Sequence, residues 1–296
     1  MYEHMVRLVT ALALLALFIW NPYPLQYLEL KSYDTLIMST EPVQNENILI
    51  VDLDEDLIKA YEGYPLPRSL YAELITKTNA VPGITVLMPD PDIRGKENDL
   101  TLSNAMIQVP TVLASAASTQ SSKESLHVGT AQLGGDPLPW LYEYPGILRT
   151  ESTLELSRKG LGLITATPEI DGVTRRIPLV VNVQSKLYPA FALELLRLAV
   201  SDPSYQLKTT QEGIEWIRVP SYPLMSTDAN ARIFLDWNTN FYKQSGLEFL
   251  TNPIDAPFVI FGVTAEGVVN PTPTPAGLKY PHEIQANILH NLINGT

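Results

Sequence analysis

The chain has no cysteine, which removes disulfide frameworks, thiol nucleophiles and cysteine-ligated zinc from consideration and fits any compartment. Histidine is scarce. The four present, His4, His127, His282 and His290, lack zinc-site spacing. Positive charge is also short, with 20 Lys and Arg against 32 Asp and Glu and a formal charge of -12. Neither nucleic acid nor an anionic membrane surface is therefore an expected partner, because phosphate binding needs a basic face. Missing too is a G-x-S-x-G nucleophile turn. The loop after residue 263 has neither G-x-G-x-x-G nor G-x-x-x-x-G-K-[ST], so no nucleotide site is read there and no cofactor is implied.

Long apolar runs are limited to one. Residues 6–20 (VRLVTALALLALFIW) are barely enough for a membrane helix, which takes about 20 residues and roughly 17 at the least. A cleaved signal peptide would need a small-x-small site after the run, where FIWNPYP stands instead. Residues 1–25 therefore read as an uncleaved anchor, with the N-terminus in the cytoplasm and the remainder outside. Residues 25–39 have the spacing of a short amphipathic helix that continues out of the membrane. The 296 residues, 45% of them hydrophobic, suffice for a real core.

What the sequence does hold centres on residues 48–68 (ILIVDLDEDLIKAYEGYPLPR). Ile48, Leu49, Ile50 and Val51 do not alternate in polarity, which is how a strand buried on both faces reads. Asp52, Asp54, Glu55 and Asp56 follow at its carboxyl end, where open α/β sheets place their ligand crevice. The acids read first as the cap and first turn of a helix through Leu57, Ile58 and Tyr61. A Mg²⁺ site is the second reading. Pro65, Pro67 and Arg68 open the next helix.

Helices at 69–78 and from Asn98 or Asp99, with strands at 84–88 and 111–117, imply parallel βαβ units. Residues 118–160 lose periodicity and read as a long loop or insertion; its Trp140, Tyr142 and Tyr144 read as cover for the edge of the core before a ligand-stacking surface. Asp171-Gly172 predicts a hairpin between strands at 162–168 and 174–183. A buried helix at 189–200, strands at 214–219, 231–236 and 258–263, and a last helix from Pro281 complete the pattern. The expected fold is α/β, a mixed, largely parallel sheet with helices on both faces, following the N-terminal membrane helix.

In this order, Tyr33-Asp34, ILIVDLDEDLI, PLPR at 65–68, Asp99, DGVTRRIPLV at 171–180, Tyr188-Pro189, FGVTAEG at 261–267, Thr274-Pro275 and EIQAN at 283–287 resemble the second type of CHASE domain. That family comprises extracellular sensing modules of bacterial cyclases and histidine kinases. The resemblance implies a membrane helix, an extracytoplasmic α/β sensor covering 26–296, and a cyclase or kinase output outside this chain. Its pattern is altered here at Met88-Pro89-Asp90, at Asn270 and Gln285, and at Tyr280-Pro281-His282, where a glycine is usual.

The chain is accordingly expected to be a non-catalytic sensor, anchored in the membrane, working as a homodimer and responding to an unknown small molecule or protein. Asp52, Asp54, Arg68, Asp90, Asp171 and Glu283 are the ligand-binding candidates, with no metal site assigned. Arg68 reads first as an internal salt bridge to Asp52 or Asp54, and second as a fork for a carboxylate or phosphate. Two other functions stay open: a metal-dependent phosphatase-like hydrolase using Asp52 and Asp54, and a structural module of a membrane assembly.

Overall fold

Residues 2–122 and 129–295 are described in a computed structural model. Two helices lead, α1 (Tyr2–Trp20) and α2 (Tyr23–Met38). They part at Asn21-Pro22, where Asn21 adopts a left-handed backbone with φ 40° and Pro22 has no N–H for a helical bond. Among the described residues α1 alone is long and apolar enough to cross a membrane. Its 19 residues, at about 1.5 Å each, span roughly 28 Å, close to the thickness of a hydrocarbon core.

Then come β1 (Val43–Leu53), α3 (Glu55–Ala60), α4 (Arg68–Thr76), β2 (Val81–Ile84), α5 (Lys96–Gln108) and β3 (Val112–Ser118). Next are β4 (Thr130–Gly134), β5 (Glu143–Tyr144), β6 (Gly146–Leu148), α6 (Ser152–Ser157) and β7 (Gly160–Leu163). The second half begins with β8 (Arg176–Pro178), β9 (Val180–Val183), β10 (Lys186–Pro189) and α7 (Phe191–Ala199). It continues through β11 (Tyr205–Thr210), β12 (Gly213–Arg218), β13 (Met225–Ser226), β14 (Arg232–Phe234) and β15 (Thr239–Ser245). Last come α8 (Gly246–Thr251), β16 (Phe258–Val263), β17 (Thr272–Thr274), β18 (Gly277–Lys279) and α9 (Pro281–Asn294).

The main sheet runs β15-β1-β16-β2-β3, all parallel, and beyond β3 lie parallel β7 and antiparallel β6. Because side chains alternate across a strand, the unbroken apolar run of β1 serves both faces. Ile48 and Ile50 pack with Phe191, Leu195, Ile288 and Leu289 of α7 and α9. Leu49, Val51 and Leu53 pack with Leu57, Leu70, Leu74, Leu102 and Met106 of α3, α4 and α5. Smaller sheets, β13-β12-β11-β4 and β10-β9-β5, with the pair β14-β8, flank this body. Tyr205, Leu207, Ile214 and Ile217 extend the α7–α9 core into them.

Several local expectations are corrected. Strand β2 spans 81–84, not 84–88, because Pro82-Gly83 belongs to the strand: Gly83 makes room for the Phe191 ring. Helix α5 starts three residues before Asp99, after Gly95 at φ 139°, so Asp99 does not cap it. Residues 118–160 carry β4, β5, β6 and α6 instead of a bare loop, and His127 lies outside the described residues. Trp140 packs on the α7–α9 core, while Tyr142 and Tyr144 pack on Ile147, Leu161 and Val181. The Asp171-Gly172 turn forms, closed by Gly172 N–H to Glu169 O at 2.9 Å, but no hairpin follows. Strand β7 joins β3 and β8 joins β14 instead.

Gly162 of β7 brings the sheet against the main chain of α7. A Cβ there would collide with the backbone of Phe191 at the start of α7, and a main chain cannot swing aside as a flexible side chain does. Gly162→Ala is expected to cost at least about 2 kcal/mol, as overpacking does. Urea unfolding of the full chain at matched conditions checks this, and an unchanged midpoint would contradict the packing described.

Candidate functional site

Two sequence motifs far apart in the chain meet at Arg175. Its guanidinium is fully buried and forks onto two carboxylates. Nε and Nη2 donate to Asp34 of α2 at 2.6 and 2.8 Å, while Nη1 and Nη2 donate to Asp171 at 2.9 and 2.7 Å. Lys31 Nζ stands 3.3 Å from Asp34 and 3.7 Å from Asp171, so two cations and two carboxylates balance. The turn that holds Asp171 is set by Gly172 at φ 80° and by Val173 N–H, which donates to Asp171 Oδ1 at 3.2 Å. Beside it Tyr33 packs on Phe234 of β14, ring centroids 4.9 Å apart, and Arg176 lies over the same Phe234 ring.

These contacts are the grip of the body on α2, which has no fully buried residue of its own. Hydrogen bonding from Arg175 holds the Asp171 carboxyl down at about 2. At Asp34 burial pushes the carboxyl up, but the bonds from Arg175 and Lys31 outweigh it and the net shift is downward. Burial, with the Asp236 and Asp34 charges, pushes the Tyr33 phenol up to about 12.

Arg68 stands apart from that group. Buried at the start of α4, it pairs with the Asp99 carboxylate and donates to the Asp90 carbonyl. Its backbone N–H donates to Asp92 Oδ2 at 2.7 Å. Arg68 is thus an internal salt bridge, but to Asp99 and not to Asp52 or Asp54. Asp90 contributes a main-chain oxygen there, and its residue is exposed.

Asp52 and Glu283 each meet the first turn of α9, through different partners. Asp52 ends the buried run of β1, and its Oδ1 accepts from His282 Nε2 of α9 at 2.8 Å. Glu283 accepts from Tyr280 N–H at 2.8 Å and from Lys243 of β15 at 2.6 Å, with Lys279 at 3.7 Å. Burial raises the Glu283 carboxyl, and the Lys243 bond more than reverses this. Asp54 plays a separate part as the cap of α3, its Oδ1 accepting from Leu57 N–H at 3.0 Å. The capping geometry expected of the acidic run is therefore the one found. Among the described residues no group of three or more His, Asp or Glu is arranged to hold a metal ion.

Next to His282 lies a cavity of about 300 Å³. Its wall is formed by Thr85, Val86 and Leu87 after β2, Val263, Val268 and Val269 around the end of β16, and Ile164 after β7. Tyr64, Pro281 and His282 complete it. The six candidates thus fall into separate places: Asp52 bonded to His282 and Glu283 in the first turn of α9, neither lining the cavity, Asp171 at the α2 clamp, Arg68 and Asp90 in a structural tie, and Asp54 in a cap. Sequence reasoning passed over Arg175, Asp34, Lys31, Lys243 and His282 as site residues. Asp34 and Arg175 were visible inside two motifs, but nothing in a linear sequence pairs positions 141 residues apart.

The family model for the CHASE2 domain matches residues 9–296, essentially the whole chain. No curated protein and no solved structure matches. CHASE2 domains are sensory domains of signalling receptors. With a match of that extent on the α/β fold described, the chain belongs to the CHASE2 domain family.

Proposed function

We propose that this chain is the extracytoplasmic sensor of a membrane-anchored bacterial receptor, not itself catalytic, which couples an outside signal to a cyclase or kinase output. In this reading residues 1–25 anchor the chain in the membrane, residues 26–296 form the sensor, and two copies work as a homodimer. The observation that carries the reading is the Arg175 fork, which ties α2, the helix that follows the apolar α1, to the Asp171 turn of the body. A signal shifts such a device only through its differential affinity for two states. A single buried fork is a suitable point for that difference, because breaking a buried ion pair by losing one partner costs about 3–5 kcal/mol.

A hydrolase reading has less support from the site. Asp54 is occupied as a helix cap and Asp52 by His282.

The absence of native cysteine makes single-site labelling direct. Leu278 is 65% exposed, and Leu278→Cys is expected to react with a membrane-impermeant maleimide in intact cells. Labelling only after lysis would put the body in the cytosol and overturn the proposed topology.

A second pair of labels reads the clamp itself. With spin labels at Leu36→Cys, on the exposed side of α2, and Leu278→Cys, the wild-type distance distribution is expected to be narrow and that of Asp34→Asn to be broad. Asp171 at about 2 and Asp34 below its ordinary value are carboxyls depressed by folding, so their contribution is present above the unfolded value of about 3.9 and lost as pH falls below it. The same broadening should appear in the wild type between about pH 4 and pH 2, as those carboxylates protonate. A distribution unmoved by both changes would count against the clamp.

A further inference from the structure

The cavity next to His282 opens where the sheet topology parts. The connection leaving β16 leads through β17 and β18 to α9, which packs on the Ile48 and Ile50 face. The connection leaving the neighbouring β2 leads through α5, which packs on the Leu49 and Val51 face. Adjacent parallel strands whose exits diverge to opposite faces leave a crevice beyond their carboxyl ends, the usual ligand position in open α/β sheets. At about 300 Å³ the cavity is at the small end of ligand sites, which run from roughly 300 Å³ upward. It has room for one ring or a short branched chain.

The polar side chains of its wall are withdrawn from it or already engaged. His282 Nε2 faces the Asp52 carboxylate at 2.8 Å, and Nδ1 is buried against Gly262 of β16, where a Cβ would strike it. Neither ring nitrogen is open to a ligand, so the ring adds carbon to the wall. The Thr85 hydroxyl and N–H both donate to the Phe261 carbonyl at 3.0 Å. Pro281 has no N–H to offer, and Tyr64, 42% exposed, stands at the rim. What remains is the aliphatic surface of Val86, Leu87, Ile164, Val263, Val268 and Val269.

That wall chooses among ligand chemistries. No Lys, Arg, Asp or Glu lines it. A carboxylate or phosphate would meet no free cation there, and the first turn of α9 already holds the Glu283 carboxylate, which answers its dipole. An ammonium would lose its hydration against valine, leucine and isoleucine, a costly burial. A hydroxyl or N–H carried inside would find no side-chain partner and would leave its own desolvation uncompensated. A hydrocarbon meets none of these costs and gains in proportion to the apolar area it takes out of water.

We infer that this crevice binds a small, uncharged, hydrocarbon-like molecule, held by shape and apolar burial without a hydrogen bond to any side chain of the wall. The inference rests on the sensor reading and supplies its ligand class.

The test uses the full chain in lipid nanodiscs, labelled with ¹³C at histidine Cε1, so that four side chains report, with each probe's free aqueous concentration measured to allow for its uptake by lipid. Toluene is the hydrocarbon probe. Phenol is of similar size with one donor, and benzoate and benzylammonium carry a charge of either sign. Toluene is expected to move the His282 signal at roughly 1 mM or below, with phenol at least about fivefold weaker and the two ions at least about tenfold weaker. Val269→Trp and, separately, Ile164→Trp fill the cavity and should abolish the response, while the buried His290 signal stays at its native position and shows the fold retained. No response to toluene overturns the inference, as does a response that survives both substitutions. Phenol or either ion binding as tightly as toluene overturns the hydrocarbon class. Silence of His282 together with outside labelling at Leu278→Cys sinks the ligand class alone. Labelling only after lysis sinks the receptor reading whatever the probes do.

Discussion

One guanidinium holds the leading helices to the rest of the protein. Arg175 has no exposed surface and satisfies two carboxylates at once, one on α2 and one on the turn before β8. Planar, always charged and rich in fixed donors, arginine is suited to such a double fork in a way that lysine is not. Around it the remaining contacts of α2 are shallow. Tyr33 on Phe234 is an aromatic contact at the edge of the body, and none of the residues of α2 is buried. A helix gripped at one buried point can be released there, whereas one packed along its whole length cannot.

The crevice and the clamp lie at different places in the fold but share the body between them. The crevice lies beyond the ends of β2, β7 and β16, with Pro281 and His282 of α9 in its wall. The clamp is built from α2, the Asp171 turn and β14. Helix α9 is buried almost throughout, with Asn45 of β1 bonded to His290 at 2.7 Å and Asp236, just past β14, donating its N–H to Asn291 at 3.2 Å. Polar ties of this kind inside a core fix a unique arrangement and leave little slack.

Much of the fold was legible because hydrophobic burial writes directly into sequence. The ILIV and FVIFGV runs became the two adjacent central strands, and the acidic run became the cap and first turn of α3. The buried helix α7 and the last helix α9 were visible from their apolar content. What was hidden depended on partners. Strand β15 (TNFYKQS) is an edge strand with few buried positions, so no apolar run marks it in the sequence. The strand expected at 84–88 starts instead at Val81 and runs through Pro82-Gly83, where Gly83 leaves space for the Phe191 ring. The Asp171-Gly172 turn was correctly located, but its flanking strands were claimed by β3 and β14, which local sequence cannot reveal. For the site, Asp52, Asp171 and Glu283 were found by position, while their partners His282, Arg175 and Lys243 were supplied by tertiary contact.

The central claim is that α2 is held to the body through Arg175 and is released without unfolding it. Hydrogen–deuterium exchange across the full chain, compared between the wild type and Arg175→Met, tests this most directly. The account predicts faster exchange confined to α2 and the turn at 169–173, with α9 and β1 exchanging at the wild-type rate. Exchange in α2 that is unchanged, or acceleration spread evenly over the whole protein, would contradict it.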